Sequence, residues 1–414
     1  MRQILGASLG FMCDESFSIQ RNIGVVVKKG KITQVGEYQA LCREFSDLKH
    51  EFFDGCVLLP AFVNAHLHFE FSGNAVSFTY GDFGAWLDSV IANRDVLLGM
   101  DTLDKHICDC IDECLRSGVG IVGAVSSYGY DLKMLAQSPL RVVFFNEAIG
   151  SNPSAIDTLY RNFCVRLEES QSYASSSFIP AVALHSPYSL HHIFAKRVVE
   201  IARGLDSPMS VHFLESIYER EWLENASGYF YKFFTQIFQL PNPKPFYTIT
   251  NFLEFFSDIK NAIFVHCLQA RDKELEFLKQ NTFSIVTCPR SNRLLCNDYL
   301  DLQNPNLPNV ALGTDGKSSN NNLNMLEELR TALFGYKSND LESLAKKLLL
   351  FATSNGAKAL DIQSGEIKVG KNADLALFHI PELSSLHNPS QIPLHFILQA
   401  KSAHRVYIDG IRVL

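Results

Sequence analysis

Short apolar runs recur along this chain, and most give way to a stretch with helical spacing. Eight such runs cover residues 58–66, 120–125, 141–148, 178–184, 209–214, 262–267, 283–288 and 310–314. Helical periodicity fills 103–116, 190–202, 274–280 and 323–333. Buried-type strands alternating with helices in this way predict a closed, parallel (β/α)8 barrel of the TIM type. An open doubly wound sheet is the rival, but no G-x-G-x-x-G follows the first run to support it.

The pattern changes at both ends. Residues 1–57 read as short strands, with Ile23 to Val27 and Ile32 to Val35 flanking the turn Lys28-Lys29-Gly30-Lys31. Residues 365–414 read likewise, and His404 to Ile408 turns at Asp409-Gly410 into Ile411-Arg412-Val413. Chain termini tend to lie close together. The two end segments are therefore expected to meet as one small β unit beside a barrel spanning 58–364. The aromatic-rich segment 219–256 is too long for a simple β–α connection. It reads as extra helices packed on the barrel, as a lid or apolar wall over the site, or as both.

Composition narrows the partners. The 414 residues are 47% hydrophobic and 20% charged, as in an ordinary globular protein. Lys+Arg 37 against Asp+Glu 44 leaves a net charge of −7 with no basic run, so no nucleic-acid partner is expected. No apolar run approaches the roughly 18 residues that cross a bilayer, so no membrane partner is expected either. The apolar start ends at Asp14-Glu15 with no small-residue cleavage site, and reads as a first strand rather than a leader. Ten cysteines without a C-x-x-C pair read as buried, reduced thiols. The expected compartment is the cytoplasm.

In a parallel barrel the strand C-termini form the active face. Here those ends carry His66-Leu67-His68, His185, His212 followed by Glu215, His266 and Asp315. Alternation puts residues i and i+2 on one face, so His66 and His68 point the same way. With His212 and Asp315 they make three imidazoles and a carboxylate. That set suits one Zn²⁺ or Fe²⁺ and is too nitrogen-rich for Ca²⁺ or Mg²⁺. Such a metal lowers the pKa of a bound water toward about 7. Glu215 is three residues past His212, out of phase on a continuous strand, but a turn at the strand end lets it swing inward. There it can move a proton between water and substrate. His266 could orient the attacking group or polarise the reacting atom.

These residues lie in recognisable strings. The stretch Leu59-Pro60-Ala61-Phe62-Val63-Asn64-Ala65-His66-Leu67-His68 resembles the first-strand motif of the amidohydrolase superfamily. The stretch Leu312-Gly313-Thr314-Asp315-Gly316, followed by Ser319, resembles its eighth-strand motif. His185-Ser186-Pro187-Tyr188, His212-x-x-Glu215, His266-Cys267 and Pro289-x-Ser291-Asn292 fall in order between them, and Gly370-Lys371-Asn372-Ala373-Asp374-Leu375 resembles the C-terminal signature. The likeness spans essentially the whole chain. Within the superfamily the chain is similar to the mononuclear aminohydrolases, the branch of the S-adenosylhomocysteine/methylthioadenosine deaminases and the triazine chlorohydrolases. The stretch Asn64 to Gly73 and the strand end Asn146-Glu147-Ala148 resemble the deaminases of the futalosine route to menaquinone.

The resemblance implies a (β/α)8 barrel with a β-sandwich built from both termini, and hydrolytic deamination of a small-molecule aminopurine nucleoside. It assigns metal ligation to His66, His68, His212 and Asp315, proton transfer to Glu215, and orientation of the attacking oxygen to His266, with Asp315 assisting the leaving group. It places His185, Glu147 and Ser319 beside the substrate. Asp95 falls about where relatives carry a ribose-binding acid, although it also reads as an exposed helix residue. Arg290 and Arg293 could receive a substrate carboxylate as bidentate donors, or be plain surface arginines. Two departures stand out. Thr287-Cys288 replace a histidine that many relatives carry before the Pro289 motif, and the arginines that bind an amino-acid tail after strand three are absent. Three alternatives stay open: displacement at a triazine, deamination of adenosine or its thioethers, and a metal-free scaffold. The assembly is open too, a homodimer included.

Overall fold

The computed structural model describes residues 2–414. Four strands open the chain: β1 (Arg2–Phe11), β2 (Ile19–Lys28), β3 (Lys31–Glu37) and β4 (Lys49–Pro60). The next eight are β5 (Phe62–Leu67), β6 (Val119–Ser126), β7 (Arg141–Ala148), β8 (Phe178–Leu184), β9 (Met209–Phe213), β10 (Ala262–His266), β11 (Ser284–Thr287) and β12 (Asn309–Leu312). Three close it: β13 (Leu375–His379), β14 (Arg405–Ile408) and β15 (Ile411–Arg412). Strands β5 to β12 form one eight-stranded sheet in sequence order, every neighbouring pair parallel. This is the barrel that the alternation predicts. The first barrel strand starts at Phe62 rather than at residue 58. Residues 58–60 pair with β1 and β13 instead and belong to the terminal sheet.

The barrel closes between β12 and β5 largely through one side chain. Thr314 N–H donates to Asn64 Oδ1 (3.0 Å), Asn64 Nδ2 donates to Thr314 Oγ1 (2.7 Å), and Asp315 N–H donates to the His66 carbonyl (3.1 Å). Asn64 thereby stands in for ladder bonds beside the first and last site residues.

Inside the barrel, alternate residues pack together. Val143 and Phe145 of β7, Ala181 and Ala183 of β8, and Ile263 and Val265 of β10 share one buried cluster. Strand β5 changes phase part-way. Its register against β6 shifts between Asn64 and Leu67, with Val63 and Ala65 in the inner cluster and Leu67 in the outer one. The bulge turns both His66 and His68 inward. Gly123 of β6 makes room for it, because a Cβ there would sit 2.5 Å from the Ala65 carbonyl oxygen.

The terminal strands form a single seven-stranded sheet ordered β15-β14-β13-β4-β1-β2-β3. It is rolled rather than flat. Edge strand β3 meets the segment before β13 through Ile32 N–H to the Lys371 carbonyl (2.9 Å) and Gly370 N–H to the Ile32 carbonyl (2.8 Å). The enclosed face packs Leu5, Val25, Ile32, Leu58, Leu375 and Tyr407 together. One continuous sheet thus does what two sandwiched sheets would do. It is pinned to the barrel floor by Arg141, the first residue of β7. Arg141 Nε and Nη2 meet both Asp374 oxygens (2.9 and 3.1 Å), and Nη2 also meets Asp409 Oδ1 (2.8 Å). Asp374, from the C-terminal signature string, is fully buried.

Removing one partner of a buried ion pair leaves a desolvated charge behind, at a cost of about 3–5 kcal/mol. Asp374→Ala should lower unfolding stability by about that much. Asp409→Ala, at a carboxylate 35% exposed, should cost about 1 kcal/mol or less. Urea unfolding midpoints of the two variants measure the difference, and equal losses would contradict the pinning role.

Candidate active site

The strand C-termini gather the predicted residues into one buried cluster. His212 Nε2 lies 3.2 Å from His66 Nε2 and 3.3 Å from His68 Nε2. Asp315 Oδ1 is 3.6 Å from each of His66 Nε2 and His68 Nε2. His266 Nε2 is 3.5 Å from Glu215 Oε1 and 3.9 Å from Asp315 Oδ2.

Two of these residues reach the cluster against the alternation of their strands. His212 faces inward, so Glu215 would face outward on a regular strand. Leu214 between them has φ +48°, which turns the chain and brings Glu215 in. Val265 belongs to the inner cluster of β10, so His266 would point out. Its φ of +68°, followed by +52° at Cys267, turns the imidazole inward. Asp315 has φ +60°. Each left-handed non-glycine residue costs of order 1–3 kcal/mol and persists only where the surroundings over-determine it.

Hydrogen bonds fix the rings. His212 Nδ1 donates to the His185 carbonyl (2.8 Å), so in the neutral ring the Nε2 lone pair faces the cluster. His266 Nδ1 donates to Asn292 Oδ1 (2.8 Å), whose Nδ2 donates to Thr287 Oγ1 (3.2 Å), which pairs with the Tyr336 hydroxyl (3.0 Å). The His266 Nε2 lone pair therefore also points inward, and that nitrogen is buried with no protein partner. Asp315 is held by Ser291 (2.8 Å), Ser319 (2.6 Å) and Gly316 N–H (2.8 Å).

Burial dominates the electrostatics. It pushes the His66 imidazole down to about 4 and the His68 imidazole down to about 3, with further lowering from His212 in both cases and from His66 at His68. Burial also depresses His185 and His266. It pushes Glu215 up to about 8, and the Asp315 charge adds to the rise. For Asp315 burial works the other way, but His66, His68 and His266 overcome it and hold the carboxyl well below its usual range.

Converging lone pairs beside an anionic carboxylate suit a cation. Two nitrogens each about 2.0–2.1 Å from one Zn²⁺ sit roughly 3.0–3.4 Å apart. The 3.2 and 3.3 Å spacings at His212 meet that condition. The cluster can hold a divalent metal.

The floor opens into a cavity of about 610 Å³, within the range of small-molecule sites. His185 and Glu147 line it beside His212, continuing the inward rows of β8 and β7. Ser127 Oγ donates to Glu147 Oε2, while Oε1 stands 3.7 Å from His212 Nδ1. The walls are apolar. The helix Phe83–Leu98 supplies Trp86, Leu87, Val90 and Ile91, and the 219–256 segment supplies Phe233, Phe234, Ile237 and Phe238. That segment also packs as helices, with Trp222 and Phe230 buried, so it is at once helical packing and part of the cavity wall.

Other predicted contacts lie elsewhere. Asp95 is exposed and pairs with Arg94 Nε (2.8 Å); Arg94, one residue earlier on the helix, lines the cavity instead. Arg290 is consumed by Glu328 (2.7 Å), Asn321, Asn322 and Glu327 below the floor, and has no donor to spare for a substrate. Arg293 is exposed and donates to Asn297. Ser319 does not line the cavity and acts on Asp315. Several buried acids escaped the sequence reading, Glu70, Asp131 and Glu219 among them. Glu70 accepts from Ser127 N–H (2.8 Å), Tyr128 N–H (3.0 Å) and Tyr130 N–H (3.2 Å), shaping the loop after β6. Burial pushes it up to about 7. Its place two residues after His68 was the available signal.

The sequence profile of the Amidohydrolase family matches residues 57–413. The chain belongs to the amidohydrolase family. It is 42% identical to the aminodeoxyfutalosine deaminase of a Nitratiruptor species, over 92% of each chain. It is 39% identical to the adenosine deaminase of Helicobacter pylori over the full length of both. The crystal structure of the Helicobacter pylori aminofutalosine deaminase with methylthio-coformycin superposes with a TM-score of 0.93, at 38% identity and full coverage of both chains. The barrel and the rolled terminal sheet are thus those of this amidohydrolase family. No described helix is long and apolar enough to cross a membrane.

Metal ligands must be deprotonated to bind, so proton competition sets the pH dependence of affinity. With His66 and His68 neutral down to about 4 and 3, protons should compete poorly above pH 5.5. Affinity for Zn²⁺ should fall by no more than about tenfold from pH 7.5 to 5.5, whereas two unshifted imidazoles would lose about a hundredfold. Chelator competition, corrected for the chelator's own protonation, measures this. A hundredfold loss would show that at least one of the two rings titrates in the ordinary range.

Proposed function

We propose that this protein is an aminodeoxyfutalosine deaminase. In that reaction water replaces the 6-amino group of the purine and ammonia leaves. The observation that carries the reading is the buried His66, His68, His212, Asp315 cluster, with Glu215 and His266 beside it, on the floor of a mostly apolar cavity. The 42% identity to a protein of that name supports the substrate. The protein is then a hydrolase acting on a cyclic amidine C–N bond. It works in the cytoplasm on a small-molecule nucleoside.

His66, His68, His212 and Asp315 would hold one divalent metal, Zn²⁺ or Fe²⁺, and such an ion makes water nucleophilic at neutral pH. The remaining chemistry belongs to the side chains. Glu215 takes a proton from the attacking water and returns it to the ring nitrogen next to C6. Its desolvated carboxyl, pushed up to about 8, is suited to holding that proton near neutral pH. His266, protonated on Nδ1 by its bond to Asn292, offers its Nε2 lone pair to the remaining proton of the attacking oxygen and aims it at C6. Asp315, steadied by Ser291 and Ser319, takes the remaining proton from the oxygen now on C6 and passes it to the departing amine, so that the 6-oxo purine and ammonia are left. His185 and Glu147 border the cavity where the nucleoside sits.

Initial rates on metal-replete enzyme test the substrate. Aminodeoxyfutalosine should give the highest kcat/KM against adenosine, methylthioadenosine and S-adenosylhomocysteine. The adenosine deaminase name of the Helicobacter pylori relative makes adenosine the second reading. A preference for adenosine would select it, and no deamination of any of the four would overturn both. Glu215→Gln should keep the metal and lose about 10²–10⁴-fold in kcat. Near-normal turnover would remove Glu215 from the mechanism.

A further inference from the structure

The cavity is electrically lopsided. Its acids, Glu147, Glu215 and Asp315, sit among the floor histidines, and Arg94 is the only Lys or Arg among the described lining residues. Arg94 shares one helix face with Trp86 and Val90, at i, i+4 and i+8. Trp86 marks the floor end of that face, because its Nε1 donates to the Ser318 carbonyl (2.8 Å) next to the Ser319 that holds Asp315. Eight residues of helix put Arg94 roughly 12 Å farther along the axis. The neighbouring helix Gly228–Gln236 is tied to the first by Tyr229 to Asp88 (2.7 Å) and adds Phe233 and Phe234 to the wall.

The guanidinium is partly committed. Its Nε meets the exposed Asp95 (2.8 Å), and the Tyr128 phenol lies nearby, but no described carboxylate pairs its Nη atoms. Its side chain is 40% exposed and it lines the cavity, where its Nη atoms offer a fork that matches a carboxylate.

We infer that Arg94 binds a carboxylate at the far end of the substrate and so selects a benzoate-tailed adenine nucleoside over adenosine. The inference rests on the deaminase reading above. A purine with C6 at the floor would run its tail between the apolar walls and end its anionic group at Arg94. The same helix would then measure substrate length and read its terminal charge. Adenosine and methylthioadenosine carry no such group.

The test compares aminodeoxyfutalosine with its decarboxylated phenyl-ketone analogue. Wild-type enzyme should prefer the carboxylate by about ten- to a hundredfold in kcat/KM, the range of a charged hydrogen-bonded pair. Arg94→Gln should abolish that preference, mainly through KM, and Arg94→Lys should restore part of it. An unchanged unfolding midpoint for Arg94→Gln separates lost recognition from lost folding. If the wild type deaminates the acid well but shows no preference over the analogue, or Arg94→Gln slows both alike, Arg94 is not the reader and the deaminase reading stands. If the wild type fails on aminodeoxyfutalosine while deaminating adenosine, the substrate reading fails and Arg94 falls with it.

Discussion

His212 gives its Nδ1 proton to the His185 carbonyl, and His266 gives its own to Asn292. Each ring thereby turns an unshared electron pair toward the same small volume, where the charge of Asp315 already lies. That convergence is unfavourable for the protein alone, since it sets buried acceptors against one another with no donor between them. It is maintained by the frame around it. The Asn64–Thr314 seam fixes the first and last strands, the β5 bulge sets both histidines of the first strand inward, and left-handed backbone at Leu214, His266 and Asp315 holds the others. Strain at functional sites persists only when its surroundings over-determine it, and here several independent bonds do so.

The terminal sheet has a part in that frame although it contributes no residue to the cavity. Strand β4 runs into β5 across Ala61, whose N–H donates to the Asp374 carbonyl (2.9 Å). The Asp374 side chain meanwhile holds Arg141 at the start of β7. One residue of the C-terminal segment thus fixes the entry of the first barrel strand and the floor of the third. This explains why a signature string lies about sixty residues beyond the last site residue. Its aspartate is structural, and its effect reaches the site through strand position.

The sequence made most of the barrel readable because parallel strands are buried on both faces and appear as apolar runs. Histidines at the ends of such runs are conspicuous, so His66, His68, His185, His212 and Asp315 could be read directly. The inward swing of Glu215 was legible as a turn at the strand end, whereas the out-of-phase turn that brings His266 in was not, since it depends on positive φ at non-glycine positions. The substrate contacts were the weakest part. Whether an arginine is free or consumed is a tertiary property, and Arg290 meets Glu328 only because the segment 320–328 folds back beneath it. Asp95 and Arg94 differ by one helical step of about 100°, and that step alone decides which faces the cavity. The i+4 series Trp86, Val90, Arg94 was the signal that could have chosen between them. In the terminal unit, short strands with turns say nothing about whether seven of them form two sheets or one rolled sheet.

Polarity along the cavity links the chemistry to the choice of substrate. At the floor, desolvation holds Glu215 up to about 8 and keeps the histidines neutral, so the reacting end favours a neutral base that exchanges protons. A substrate group there also meets the divalent ion proposed for the histidines, so Asp315 and Glu147 do not by themselves repel an anion. At the other end of the same helix face Arg94, the one Lys or Arg among the described lining residues, is partly exposed and can accept an anion at small desolvation cost. A nucleoside with a neutral purine and a charged tail is therefore held in the productive direction by proton exchange at its base and by Arg94 at its tail. The apolar walls between the two ends give little orientation of their own, because dispersion and burial are non-directional. Orientation comes from the polar groups at the two ends, and turnover at C6 depends on it as much as on the groups that carry the protons.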